Sequence, residues 1–114
     1  MSYGRRVSFE AVREAAFGAI GVNYAAIGGV TTDYTRIVSF FNSTDVDIYI
    51  SLDGVTNHLR IASGTGQVID LTANKVRDDG LFIKLGTQFY QKRVAGAPTT
   101  GTVWIQTVSA TGGV

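Results

Sequence analysis

From Phe41 to Lys75 the chain reads as short alternating segments cut by Asn, Asp, Gly and Ser. The clearest is VDIYISLD (46–53), where Val46, Ile48, Ile50 and Leu52 fall on one face and Asp47, Tyr49, Ser51 and Asp53 on the other. That period of two predicts a half-buried strand. TRIVSFFN (35–42) is apolar on both sides, with Ile37 and Phe41 one way and Val38 and Phe40 the other. Such a strand lies between two layers or meets a partner on its outer face. HLRIA (58–62) and QVIDLT (67–72) read as further strands, the second with Val68 and Asp70 opposite Ile69 and Leu71. LFIKL (81–85) and QFYQKRV (88–94) read as a hairpin about Gly86-Thr87, and TVWIQTV (102–108) as the last strand before a polar, glycine-rich tail.

The punctuation has a physical basis. Ser43-Thr44-Asp45, Asp53-Gly54 and Ser63-Gly64-Thr65-Gly66 have the residue types that turns require. GVNYAAIGGVTTDY (21–34) reads as a loop with an extended piece at 24–27, and NKVRDDG (74–80) as a charged loop. Residues 1–12 read as an arm. Ser8, Phe9, Val12 and Ala16 suit a short helix, and the alternative is an extended arm running into a strand over 13–20. The expectation is an all-β, single-domain β-sandwich over residues 13–114, jelly-roll-like, with about seven or eight strands and an N-terminal arm over 1–12.

Composition narrows the classes. The chain has 114 residues, room for one core. Charged residues are only 17% against 45% hydrophobic. Neutral surface of that kind suits an oligomer or a subunit of an assembly. The formal net charge of +1 offers no broad basic field for nucleic acid. With no cysteine there are no disulfides and no thiolate metal sites. Arg5 and Arg6 are followed by no signal-like apolar run, and no stretch approaches the ~20 apolar residues of a membrane span. The chain is therefore expected to be made in the cytoplasm and neither exported nor membrane-bound.

Candidate chemistry is sparse. Asn42, Asp45, Asp47 and Asp53 offer oxygens that a hard cation prefers. Asp47 and Asp53 share a strand face but stand roughly 20 Å apart along an extended chain, too far for one ion. Asp45 and Asp47 are closer, and solvated turn carboxylates account for the cluster better. His58 is the sole histidine. Ser51 or Ser63 with His58 and Asp53 would complete a triad by residue type, with neither a nucleophile turn nor an oxyanion hole in the sequence. No catalytic, cofactor or metal residue is assigned. Lys92 and Arg93 with Phe89 and Tyr90 mix cations and aromatics, a pattern that serves base stacking; at this net charge an outer sheet face is the better reading. If Val103 and Ile105 face the core, Trp104 faces out as an interface anchor or a sugar platform; the reversed assignment stays open.

The order of motifs resembles short structural proteins of tailed bacteriophages. The likeness runs through FGAIGVNYAAIG (17–28), RIVSFFNSTDVDIYISLDGVTNHLRIASG (36–64), VIDLTANK (68–75) and GTQFYQKRVAGAPTTGTVWIQTV (86–108). Its most specific part sets Asn42, Thr44-Asp45, Asp47, Ser51 and Asp53-Gly54 in one string. The resemblance implies a non-enzymatic virion component, with no catalytic residues to carry over. Its expected partners are copies of itself and other virion proteins such as portal, tail or major capsid protein, without membrane or specific nucleic acid. A ring or collar at the head–tail junction is the leading placement, with capsid cement or decoration second. Arg5 and Arg6 on the arm and Phe40, Tyr49, Tyr90 and Trp104 on the strands are the expected interface residues. A carbohydrate- or receptor-binding module is the alternative from another class.

Overall fold

A computed structural model of the chain describes residues 6–32, 34–71 and 83–111, with side chains described from residue 9 to residue 109. Its strands are β1 (Arg6–Phe9), β2 (Arg13–Ala16), β3 (Ala25–Ile27), β4 (Thr35–Asn42), β5 (Ile48–Ser51), β6 (Leu59–Ile61), β7 (Thr65–Asp70), β8 (Phe89–Arg93) and β9 (Thr102–Thr111). One short 3-10 turn, Phe17–Ala19, is the helical element among the described residues. No described helix is long and apolar enough to cross a membrane.

Two antiparallel sheets pack face to face. The first runs β1–β9–β4–β7, with β2 on the same β9 edge as β1; the second runs β3–β8–β5–β6. Counting β1 and β2 as one interrupted edge, chain order and spatial order together give the jelly roll. β5 and β6 are successive neighbours in one sheet, and every other connection crosses between the layers.

The core follows from the alternation. Val38 and Phe40 of β4, Ile48 and Ile50 of β5, Phe89 of β8 and Val103 and Ile105 of β9 are buried between the sheets with Ile27 and Ile61. Each such side chain contributes about 1.5–3 kcal/mol by leaving water. Phe40 and Phe89 meet edge to face across the layers, ring centroids 6.0 Å apart. A register shift between Thr35 and Ile37 in the β4–β9 pairing resets which residues point inward. Thr35 and Val38 are therefore both buried, although with two residues between them strict alternation would set them on opposite faces.

Polar residues close the ends. Asn42 is fully buried at the end of β4. Its amide donates to the Val46 carbonyl at 2.8 Å and the Ile61 carbonyl at 3.0 Å, and its oxygen accepts the Thr44 N–H at 2.9 Å. One side chain thus ties the crossover out of β4 to β6. At Gly101 (φ +97) an added Cβ would lie 2.2 Å from the Ser43 carbonyl oxygen, so only glycine lets the chain enter β9 there.

Several expectations change. Residues 8–16 form no helix: β1 pairs with β9 through Phe9↔Val108, and β2 resumes at Arg13↔Ile105. Four steps along that edge span three along β9, an extra residue that kinks the strand. Residues 6–9, expected in the arm, thus lie in a sheet; residues 1–5, including Arg5, are outside the described residues. The 81–94 hairpin does not form, because β8 pairs with β3 and β5 while Ile83 bridges to Thr35. Leu81 and Phe82 lie outside the described residues, as does the charged loop over 74–80. Residues 109–111, expected in a polar tail, extend β9 and pair with β1.

Candidate interaction surfaces

The outer face of the first sheet carries an apolar patch among the polar side chains Glu14, Ser39, Gln106 and Asp70. Phe41 and Trp104 are register partners on β4 and β9, and their rings stack with centroids 5.5 Å apart and planes 16° from parallel. Phe41 also lies over Gly66 of β7, where a Cβ would come within 2.9 Å of the ring, so the glycine lets the aromatic lie flat on the sheet. The Trp104 indole N–H reaches the Glu14 carboxylate at 3.2 Å. Val68 is 64% exposed and Phe9 74%. Phe9 and Val12 flank a cavity of about 340 Å³ floored by Ile37, Ser39, Gln106 and Val108.

Beneath that rim, the kink between β1 and β2 is fixed by a buried ion pair. Arg13 meets Glu10 at 2.6 Å and donates to the Gly29 carbonyl at 3.0 Å, with its guanidinium 5.5 Å from the Phe89 ring centroid. The other Glu10 oxygen accepts the Thr32 N–H at 3.0 Å. Gly28 (φ +70) leaves room for the Arg13 stem, which an added Cβ would meet at 2.4 Å. Phe9 and Val12 are thereby held on a rigid corner.

The outer face of the second sheet is different. The registers Tyr49↔Lys92 and Tyr49↔Arg60 line up a cation, a tyrosine and a second cation across β8, β5 and β6. The Lys92 ammonium sits 4.7 Å from the Tyr24 ring centroid and 5.7 Å from that of Tyr49, filling the gap between two rings. Arg60 pairs with Asp47 at 2.9 Å. The Tyr24 hydroxyl donates to Asn57 Oδ1, and its pKa is raised, first by partial burial and then by the Asp53 charge. Tyr90 lies under Gly54, whose Cβ position is 3.3 Å from the ring.

The acidic turns are structural. Asp45 accepts the Thr99 N–H at 2.9 Å and its hydroxyl at 2.6 Å. Asp47 accepts the Ser63 N–H at 2.9 Å. Asp53 accepts the Val55 and Thr56 N–H groups and the Ser51 hydroxyl, each at 2.8 Å. These bonds favour the ionised form and hold all three carboxyls below the ordinary carboxylate value: Thr99 chiefly for Asp45, Ser63 then Arg60 for Asp47, Thr56 and Val55 for Asp53. Among the described residues no three acidic or histidine side chains gather as metal ligands.

Ser51, Asp53 and His58 come together in the wrong order for a triad. The Ser51 hydroxyl points at Asp53, not at His58. His58 Nδ1 accepts the Leu52 N–H at 3.0 Å, and its Nε2 is 4.0 Å from Asp53. The ring nitrogen that would serve as base is engaged by backbone, and the serine is buried.

Of the expected interface residues, Trp104 faces out as read. Tyr49 and Tyr90 are half-buried on the second sheet's outer face. Phe40 is corrected: it is 2% exposed and belongs to the core, while Phe41 is 40% exposed beside Trp104. With both faces of β4 apolar, neither residue type nor alternation separates the two; the cross-strand partner decides. Arg6 lies in β1 opposite Thr111. Phe9, Val12 and Val68 were not among the expected interface residues, although Val68 shares a strand face with Asp70, opposite Ile69 and Leu71, which marks that face as the outer one. Comparison with protein-family models, with curated proteins and with solved structures finds no match.

Proposed function

We propose that this chain is a non-enzymatic structural subunit that associates with copies of itself and with other proteins of a larger particle. The observation that carries the reading is the apolar patch on the outer face of the first sheet, where Phe9, Phe41, Val68 and Trp104 stand on strands, and Val12 at the kink between β1 and β2, with no second layer above them among the described residues. Strands of ten, eight and six residues with the two four-residue edge strands, at about 3.4 Å per residue and about 4.8 Å per strand, give a face of roughly 500 Å². With side-chain relief that approaches the ~800 Å² per partner of a stable interface. Aromatic residues at the centre and low charge are the composition of an interface core.

The resemblance of 17–28, 36–64, 68–75 and 86–108 to tailed-phage structural proteins suggests the particle: a virion, with a head–tail junction ring or collar as the leading position and a capsid cement or decoration as the next. A carbohydrate-binding reading would need open aromatic faces; the Trp104 ring is stacked with Phe41, and Lys92 lies against both Tyr24 and Tyr49.

The test is size-exclusion chromatography with light scattering over a wide concentration range. The expected result is a discrete oligomer that Trp104→Ala weakens without unfolding the sandwich. A strict monomer at every concentration, with no capture of portal, tail or capsid proteins, would sink the reading.

A further inference from the structure

We infer that Asp53 is a latent site of isoaspartate formation, and that the buried Ser51 hydroxyl keeps it closed by holding both reacting groups, the Gly54 N–H and the Asp53 carboxylate.

In an Asp-Gly pair the second nitrogen reaches the side-chain carbon most freely, because glycine has no Cβ in the way. Once the Gly54 amide has lost its proton, its nitrogen attacks Asp53 Cγ. A C–N bond forms, a carboxyl oxygen leaves as water, and the product is a cyclic imide. Water then reopens the ring at either carbonyl. One opening returns aspartate, and the other gives isoaspartate, whose main chain runs through the former side chain.

The fold calls for this reactive pair. Gly54 has φ +79, in the left-handed region, and an added Cβ would lie 3.3 Å from the Tyr90 ring. Asp53 caps the same turn, where its Oδ1 accepts the Val55 and Thr56 N–H groups, each at 2.8 Å. The Asp53 side chain is 49% exposed, so water reaches it.

Ser51 closes β5 and is fully buried. Its oxygen accepts the Gly54 N–H at 2.9 Å and the Asp53 N–H at 3.2 Å. Its own proton is donated to Asp53 Oδ1 at 2.8 Å. The attacking nitrogen thus keeps its proton in a hydrogen bond on the protein. The carboxyl would have to turn its carbon onto that nitrogen, and three donors hold Oδ1 where it stands. The same bonds, Thr56 first, then Val55 and Ser51, lower the Asp53 pKa and keep it ionised. A carboxylate is the poorer electrophile, having no hydroxyl to leave. Isoaspartate would add a methylene to the main chain of the β5–β6 turn and draw the carboxylate off the Val55 and Thr56 N–H groups.

The test incubates the full chain at physiological temperature and reads isoaspartate with an isoaspartate-specific carboxyl methyltransferase. The products are resolved by peptide, because a second Asp-Gly pair, Asp79-Gly80, lies outside the described residues. Asp53 in the folded parent should convert at least about tenfold more slowly than in the same chain unfolded in guanidinium chloride, and Ser51→Ala should recover about tenfold of that rate. Ser51→Cys keeps the shape of the side chain and weakens its hydrogen bonds, so it serves where the alanine variant does not fold and should also convert faster than the parent. Phe40→Ala weakens the core and leaves the turn whole; it controls for unfolding and should stay near the parent rate. Equal conversion of the parent folded and unfolded, or equal acceleration by the Ser51 variants and Phe40→Ala, would overturn the inference. So would slower conversion in the Ser51 variants, which would make the hydroxyl a relay that carries the Gly54 proton to the carboxylate.

Discussion

The two outer faces of the sandwich are built on the same antiparallel ladders and differ in what their aromatics touch. On β3–β8–β5–β6, Lys92 stands between Tyr24 and Tyr49, Tyr24 is tied by its hydroxyl to Asn57, and Gly54 covers Tyr90. On β1–β9–β4–β7, Phe41 and Trp104 have each other and one carboxylate contact, while Phe9 and Val68 stand in the open. An outward aromatic is therefore not by itself an anchor. Where the chain supplies cations and hydroxyl partners, the face is already satisfied; where it supplies only further apolar groups, a partner has something to gain.

The sharpest way to break the comparison uses two adjacent residues of β4. Phe40→Ala opens a cavity beneath Phe89 and should cost about 3–5 kcal/mol in urea unfolding. Phe41→Ala should cost about 0.5–1.5 kcal/mol, the worth of its aromatic pair, while lowering association. Equal losses of stability would mean that the two faces of β4 are not distinct. Next in size is Trp104→Ala. As an interface anchor it should weaken self-association by about 2 kcal/mol, roughly thirtyfold, in sedimentation equilibrium. An unchanged constant would make the two outer faces equivalent.

Lys92→Ala tests the other side. Loss of its two ring contacts should cost about 0.5–1 kcal/mol of stability and leave the oligomer untouched. The smallest effect concerns pH. Asp45, Asp47 and Asp53 have folded values below their unfolded ones, so their contribution is complete above the ordinary value of about 3.9 and is lost as pH falls through the lowered folded values. Asp53→Asn should flatten the acid limb of a stability–pH profile and leave stability near neutrality little changed in shape. An acid limb that keeps its slope would place the titration elsewhere.

The sequence carried the fold class and much of the core. Alternation placed Ile48 and Ile50 inside; for Trp104 it left both orientations open, and the burial of Val103 and Ile105 turns the indole outward. It missed wherever position depends on a distant strand. Phe40 and Phe41 are sorted by register with β9 and by the shift at Thr35–Ile37, neither of which leaves a local pattern. Phe9 sits at a helix-compatible spacing that pairing with Val108 overrides. Arg13 receives no role from the sequence and is buried, because Glu10, Gly29 and Phe89 converge on it from three segments. Ser51 falls on the polar side of its strand and is buried too, held by the Asp53–Gly54 turn it helps to make.

The position of β9 sets a timetable. It is the last described strand, and β1, β2 and β4 all pair with it. Until it is present, the first sheet is one hairpin-like ladder, β4 with β7, plus two unpartnered segments. Contacts that span so much sequence form slowly. The nascent chain must therefore keep β1 and β2 soluble without a partner, and β4 paired on one side alone, until the ten residues of β9 have been made. Expression should accordingly respond more to translation speed and to chaperones than the stability of the finished sandwich would suggest.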